Sequence, residues 1–272
     1  MSLIYKCTNE GVGAQYQRII GLLSIAKHHN LKFIHNMITV GHNYENDPEW
    51  DKKWDNFFNI KSIAYVCNDD GCNSIISEVI NYNHLNYIKQ NLNIKIQSTL
   101  PFDIIDKEPN KYYKIIQNDI RYAYNQNSLN KSLHLFNNRV NIAIHIRVIN
   151  DYDDVNEFDN FYNSIGRFTV KEEEYIKLIE YFQSTYPHSD VHIFSQKNIT
   201  QRYKSLTQQK NIYLHLDTDA FDTFHHLCNA DILVISKSSF SYLAGIYNKN
   251  KVVYFPFHHP PLDDWINFYD IV

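Results

Sequence analysis

The sequence predicts an α/β protein built on parallel sheets, and three features carry that expectation. Dense apolar runs at Val140 to Ile146, Val191 to Phe194, Ile232 to Ile235 and Val252 to Phe255 alternate with stretches of helical spacing. Strands covered on both faces, joined by crossover helices, read in this way. Near the start, Leu3 to Cys7 is strand-like and Gly11-Val12-Gly13 makes a turn. From Ala14 onward, Ile19, Leu22, Leu23, Ile25 and Ala26 fall at helical spacing, and Leu31 to Ile34 returns as a strand, completing a βαβ-type unit. A boundary near Asn137-Asn138 divides the 272 residues into two such units, 1–138 and 139–272, each near the roughly 100–200 residues of a typical domain.

The stretch from Met37 to Asn59, with Trp50, Trp54 and Phe57-Phe58, is aromatic and irregular, and reads as an inserted loop or binding wall. Ser74 to Gln97 carries helical and short strand-like stretches without sharp punctuation. Tyr112 to Asn137 is mostly helical: Ile115, Ile116, Ile120, Ala123 and Tyr124 form a face that Leu129, Leu133 and Phe136 continue. In the second half the spacing predicts helices over Val170 to Tyr186, from about Thr200, over Phe221 to Cys228 and over Phe240 to Tyr247, with a further strand at Ile212 to Leu214.

Composition excludes several classes of function. With 44% hydrophobic and 15% aromatic residues the chain can bury a core. A formal net charge of -4, from 26 Lys+Arg against 30 Asp+Glu, argues against a general nucleic-acid binder, whose footprint is basic. Four cysteines, Cys7, Cys67, Cys72 and Cys228, are too few and scattered for a disulfide framework and read as reduced thiols. The N-terminus lacks a signal-peptide pattern, and no apolar run approaches the ~18 residues of a membrane span. The expectation is a cytoplasmic protein without a membrane span. Adjacent histidines, His225-His226 and His258-His259, do not make a metal site, and no metal or cofactor is expected.

Glycine is scarce, 7 residues in all, so the pair Gly11 and Gly13 carries weight. Such a turn either brings backbone N–H groups close to a phosphate or simply links strand to helix. Arginine is scarce too: Arg18, Arg121, Arg139, Arg147, Arg167 and Arg202 are the residues suited to bidentate anion binding. In open α/β sheets ligands bind outside the carboxyl ends of the strands. At those ends lie Glu10, Gly11 and Gly13; His145, Arg147 and Asp151; Ser195 and Gln196; and Ser236, Lys237, Ser238 and Ser239. On an extended strand His145 and Arg147 share one face. A buried-strand arginine needs a partner, here either a structural carboxylate such as Asp151 or a ligand pyrophosphate. The hydroxyls of Ser238-Ser239-Phe240-Ser241 fit a phosphate cradle and fit a helix N-cap equally well.

Together, Gly11-Val12-Gly13-Ala14-Gln15, His145-Ile146-Arg147 through Asp151, and the run from Ala230 to Ser241 resemble, in order and approximate spacing, the fucosyltransferase superfamily of α-1,2-, α-1,6- and protein O-fucosyltransferases. The Ser238-to-Ser241 run after a buried strand, Phe168-Thr169 through Tyr175, and Ile193-Phe194-Ser195 look closest to the α-1,2 branch. The sequence departs from the pattern where many relatives carry His-x-Arg-Arg followed by Gly-Asp, since Val148-Ile149-Asn150-Asp151 stands here. It departs again where Gly13-Ala14-Gln15 replaces Gly-Asn-Gln.

The resemblance implies a GT-B architecture, two Rossmann-like domains with a cleft between them, the N-terminal one on the acceptor side and the C-terminal one binding the nucleotide sugar. It implies an inverting transfer of fucose from GDP-fucose to a glycan, without a metal. By the family's pattern Arg147 stabilises the leaving GDP, and His145 sits beside it on the donor. Ser238, Ser239 and the Phe240 backbone hold the diphosphate, bordered by Gly11 and Gly13; Asp222 lies near the nucleoside, and Ser195 belongs to the same donor-side set. An inverting transfer also needs a base. Glu10 matches the glutamate that serves in one protein O-fucosyltransferase branch, and Asp151 is the second candidate.

Overall fold

In the computed structural model, which describes residues 2–8, 10–41, 46–64, 73–90, 94–127, 132–148, 170–209 and 212–272, the chain divides into two units, Met1–Asn130 and Lys131–Val272. The expected boundary at 138/139 falls inside the second unit. Residues 132–139 pack onto that unit: the Leu135 N–H donates to His226 Nε2 (3.3 Å), and the Phe136 ring lies 4.9 Å from both His192 and His226. Leu133 and Phe136 have the spacing of a helical face but sit in turns, and Leu129 lies outside the described residues.

In the first unit β1 (Ser2–Tyr5), β2 (Lys32–Ile34), β3 (Asn73–Val79) and β4 (Ile94–Leu100) form a sheet in the order β2-β1-β4-β3, parallel throughout. The helix α1 (Val12–His28) starts at Val12, two positions before Ala14, because extended Gly11 (φ -67°, ψ 160°) occupies the N-cap. Its Tyr16, Ile19, Ile20, Leu22 and Ile25 are fully buried. Asn30 takes the left-handed conformation (φ 55°) that ends α1, and the Leu31 N–H reaches back to Ala26 O (2.8 Å). Helix α2 (Trp50–Phe58) occupies the stretch expected to be an inserted loop or binding wall. Trp54 and Phe58 are fully buried and stack at 5.7 Å, so these aromatics are core. Helices α3 (Tyr82–Gln90), α4 (Phe102–Ile105) and α5 (Pro109–Asn125) complete the unit, with Lys27 of α1 paired to Asp119 of α5.

The second unit has β5 (Val140–His145), β6 (Ser189–Ser195), β7 (Ile212–Leu216), β8 (Ile232–Ile235), β9 (Lys251–Tyr254) and β10 (Ile266–Asn267). They are parallel, in the order β10-β9-β8-β5-β6-β7. Alternation sorts the side chains. Ile142, Ile144, Val191, Ile193, Ile232 and Val234 form one core with Tyr175, Leu178, Ile179 and Phe182 of α6 (Glu172–Thr185). That core also takes in Ile199 of α7 (Ile199–Arg202) and Leu206 of α8 (Lys204–Thr207). The intervening Ala143, His145, His192, Phe194 and Leu233 are buried on the other face, toward α9 (Ala220–Asn229) and α10 (Ser239–Tyr247). Among the described residues no helix is long and apolar enough to cross a membrane, and Cys7 and Cys228 are free thiols. Cys67 and Cys72 lie outside those residues.

Helix α10 crosses the unit closely because Gly245 has no side chain. A Cβ there would meet Trp265 Cζ2 at 2.9 Å. Gly245→Ala therefore sets the ~1 kcal/mol helix-propensity gain against overpacking of about 1–3 kcal/mol. We expect a lowered thermal midpoint by circular dichroism; a raised midpoint would show that the ring yields without cost.

Candidate functional site

The carboxyl edge of the second sheet gathers most of the residues singled out by sequence. His145 ends β5, and its Nδ1 lies 2.8 Å from Ser236 Oγ at the end of β8, the neighbouring strand. Ser236 is buried and shares its hydroxyl with Ser241 (3.2 Å), whose Oγ also accepts the Ser236 N–H (3.2 Å). The turn from β8 into α10 is thus wrapped around two buried hydroxyls and one imidazole. Ser238 caps α10, its Oγ accepting the Phe240 N–H (3.4 Å), and the Phe240 ring packs 5.7 Å from His145. Ser239 is buried in the first turn of α10.

Charge at this edge is graded. Burial, and then the neighbouring Arg147 guanidinium, push the His145 imidazole down to about 3, so it is neutral at pH 7. Arg147, two residues on and half-buried, donates to Gln196 Oε1 (3.4 Å) beyond β6. Ser195 ties the same two strand ends, its Oγ donating to Ile146 O (2.8 Å). Lys237, in the turn between Ser236 and Ser238, is lowered to about 8 by burial, against the pull of Glu174. A fixed guanidinium, a neutral imidazole, hydroxyls and the start of a nine-residue helix therefore share one edge. Helix starts present N–H groups and a positive dipole end to anions.

Asp222 lies in the first turn of α9, where its N–H donates to Asp219 Oδ1 (3.0 Å) and its carbonyl accepts from His226 Nδ1 (2.8 Å). Asp151 and Phe168-Thr169 lie outside the described residues.

Glu10, Gly11 and Gly13 belong to the first unit. Both oxygens of Glu10 face Arg18 of α1: Oε1 accepts from Nη2 at 2.9 Å and Oε2 pairs with Nη1. Oε2 also accepts the Thr8 hydroxyl (2.9 Å). Gln15 Nε2 donates to Glu10 O (2.8 Å) and Thr39 O (2.7 Å), and the Gly41 N–H donates to Glu10 O (2.8 Å). This binds the β1–α1 turn to the segment after β2. Gly11 is extended and Gly13 lies inside the helix, so neither owes its place there to the left-handed region.

Two features escaped sequence reasoning. Ser236 was visible only as one hydroxyl among several at a strand end; its burial against His145 distinguishes it. The second is His35, immediately after β2, whose Nε2 lies 2.5 Å from Asp55 Oδ1 of α2. Both residues are buried, and Lys61 Nζ lies 3.4 Å from Asp55 Oδ2. Burial pushes the Asp55 carboxyl up, but the bond and charge of His35, with Lys61 behind, hold it below the usual carboxylate range.

No protein-family model and no curated protein matches the chain. Among solved structures, POFUT1 in complex with GDP-fucose matches with a TM-score of 0.56 at 11% identity, over 92% of this chain and 94% of that chain. POFUT1 in complex with GDP matches with 0.55 at 11% over the same shares. A second crystal form with GDP-fucose matches with 0.50 at 11%, over 97% and 96%. At such identity the likeness concerns the fold, which is the GT-B one expected above.

Proposed function

We propose that this protein is a glycosyltransferase moving fucose from GDP-fucose to a glycan hydroxyl, with inversion, an α-1,2 linkage and no metal. The observation that carries the reading is the edge of the second sheet, where Arg147 stands beside a neutral His145 that is joined through Ser236 to the Ser238–Ser241 turn. Such an edge suits a diphosphate: a guanidinium takes two oxygens at once, and the helix start supplies N–H donors. The three ordered motifs, and the fold shared with POFUT1 complexes of GDP and GDP-fucose, support the same reading.

In this reading the second unit holds the donor and the first provides contacts to the acceptor. Arg147 binds the β-phosphate. Ser238, Ser239 and the Phe240 main chain hold the diphosphate, with His145 and Ser195 beside them and Asp222 toward the nucleoside. Gly11 keeps the end of the β1–α1 turn bare enough for a sugar to approach, and Gly13 follows in the first turn of α1. The acceptor oxygen attacks the anomeric carbon while the bond to the β-phosphate oxygen breaks and its electron pair leaves with GDP. The charge that grows on that oxygen meets a guanidinium already in place, so little reorganisation is needed.

A panel of nucleotide sugars, incubated with fucosyl-acceptor glycans, tests the donor. Transfer or hydrolysis of GDP-fucose above the other donors is expected. Turnover of another nucleotide sugar alone would assign the same fold to a different donor. Binding of GDP with no turnover of any donor would leave a nucleotide-binding protein without catalysis.

A further inference from the structure

The stretch by which the chain enters the second unit is fastened there by side chains that titrate. We propose that residues 132–136 form a strap that acid releases, through protonation of the histidines beneath it, with Asn137 as the hinge. The proposal stands apart from the function argued above. The strap lies on the surface: Ser132, Leu133 and His134 are exposed, and Leu135 and Phe136 are half-buried. Its described attachments run to imidazoles of the second unit. The Leu135 N–H donates to His226 Nε2 (3.3 Å), the Phe136 ring lies 4.9 Å from His192 and from His226, and the His134 ring meets His226 edge-on at 5.3 Å. From Asn137 onward the chain is held by amides and a carboxylate. The Asn137 N–H donates to Asn141 Oδ1 (3.3 Å), its carbonyl accepts from Asn141 Nδ2 (2.9 Å), and its side chain donates to Asp190.

The fastening depends on neutral rings. His226, buried in α9, has Nδ1 2.8 Å from Asp222 O, so Nδ1 carries the ring hydrogen and Nε2 is the acceptor that Leu135 uses. A proton added at Nε2 sets one N–H against another, and the Leu135 bond is lost. His192 and His215 share one hydrogen between Nδ1 and Nε2 at 3.0 Å, and Phe136 covers the buried His192 ring. Burial, the largest cause in each case, lowers His226 and pushes His192 and His215 down to about 4. Lifting the strap opens His226 and His192 to water, and the rings move toward the ordinary value near 6.5. Below about pH 6.5 the released form therefore binds protons that the fastened form refuses, so release grows as pH falls.

The titratable and charged groups facing these rings come from four elements. They are His134 on the strap, Asp190 of β6 with Arg139 beside it at 3.3 Å, Tyr213 and His215 of β7, and Asp222 and His225 of α9. The carboxylates of Asp190 and Asp222 favour protonation of His192 and His226, and the neighbouring imidazoles oppose it. Release moves the first described anchor of the chain on this unit from residues 134–136 to Asn137.

Hydrogen–deuterium exchange of the full chain at pH 7, 6 and 5, corrected for the intrinsic rate at each pH, tests the proposal. Exchange over residues 132–136 is expected to rise at least about tenfold from pH 7 to pH 5, since each coupled proton contributes up to about tenfold per unit. Peptides from β5 and β8 should stay protected over the same range. In His226→Gln the amide oxygen can still accept the Leu135 N–H but takes no proton, so the rise should be at least about threefold smaller. Strap exchange that does not rise between pH 7 and pH 5, or rises only together with that of β5 and β8, overturns the proposal. A rise in His226→Gln equal to that of the wild type overturns it as well. If that variant does not fold, the comparison of strap with β5 and β8 in the wild type decides alone.

Discussion

Arg147→Ala is expected to lower kcat for fucosyl transfer by about 10³-fold, within the range for removing a preorganised group that meets transition-state charge. Arg147 is half-buried and donates to Gln196 Oε1 at 3.4 Å, so the thermal midpoint of the variant is measured alongside to separate lost chemistry from lost folding. Arg147→Lys is the sharper variant. It keeps the charge but not the planar fork, and a bidentate site treats these differently, so most of the loss should remain. The variants also report on His145, which is depressed first by burial and second by the Arg147 charge. In Arg147→Ala the imidazole should titrate nearer its ordinary value, visible in its proton NMR shift. Transfer by Arg147→Ala within about threefold of wild type would remove the arginine from the proposed chemistry.

The second large effect is on stability. Burial depresses His145 to about 3 and His192 and His215 to about 4, and lowers His226. His192 Nδ1 and His215 Nε2 are 3.0 Å apart, a contact that holds one proton and not two. His226 Nε2 accepts the Leu135 N–H and its Nδ1 faces Asp222 O, so its ring is held neutral with the hydrogen on Nδ1. In the unfolded chain these rings titrate near 6.5. As pH falls below that value the unfolded state gains protons that the folded state refuses, so stability falls from about pH 6.5 toward pH 4. Each unit of depression is worth about 1.4 kcal/mol, so buried His145 and His192 together cost a few kcal/mol, a large part of the ~5–15 kcal/mol of a domain. The urea midpoint should drop steadily between pH 7 and 4.5, and a flat profile would contradict the assignment of these rings as neutral and buried.

Much of the second unit could be read from its residues, because buried parallel strands are continuous apolar runs. Ile232–Ile235 stands where the run put it, and the Ser238 cap begins the next helix within one residue of expectation. The first unit was harder. Trp50, Trp54, Phe57 and Phe58 have helical spacing, but their size and the polar residues between them drew attention as a binding wall. The role of Trp54, Phe57 and Phe58 as core depends on α5, far along the chain: Phe57 packs against Tyr124 at 5.2 Å. Residues 132–138, expected with the first unit, group with the second for a similar reason, since Leu135 and Phe136 attach to histidines 192 and 226. At the site, one-strand logic placed His145 and Arg147 on one face. It could not pair His145 with Ser236, or His35 with Asp55, because those contacts depend on strand order and on the packing of α2.

In the proposed function, the edge carrying His145, Arg147 and the Ser238–Ser241 turn binds a guanosine diphosphate. Calorimetric titration of the full chain with GDP, and separately with ADP, UDP and CMP, tests it most directly. Saturable binding of GDP in preference to the others is expected, weakened at least about tenfold in Arg147→Ala. Absence of GDP binding, or a GDP affinity that Arg147→Ala leaves unchanged, would contradict it.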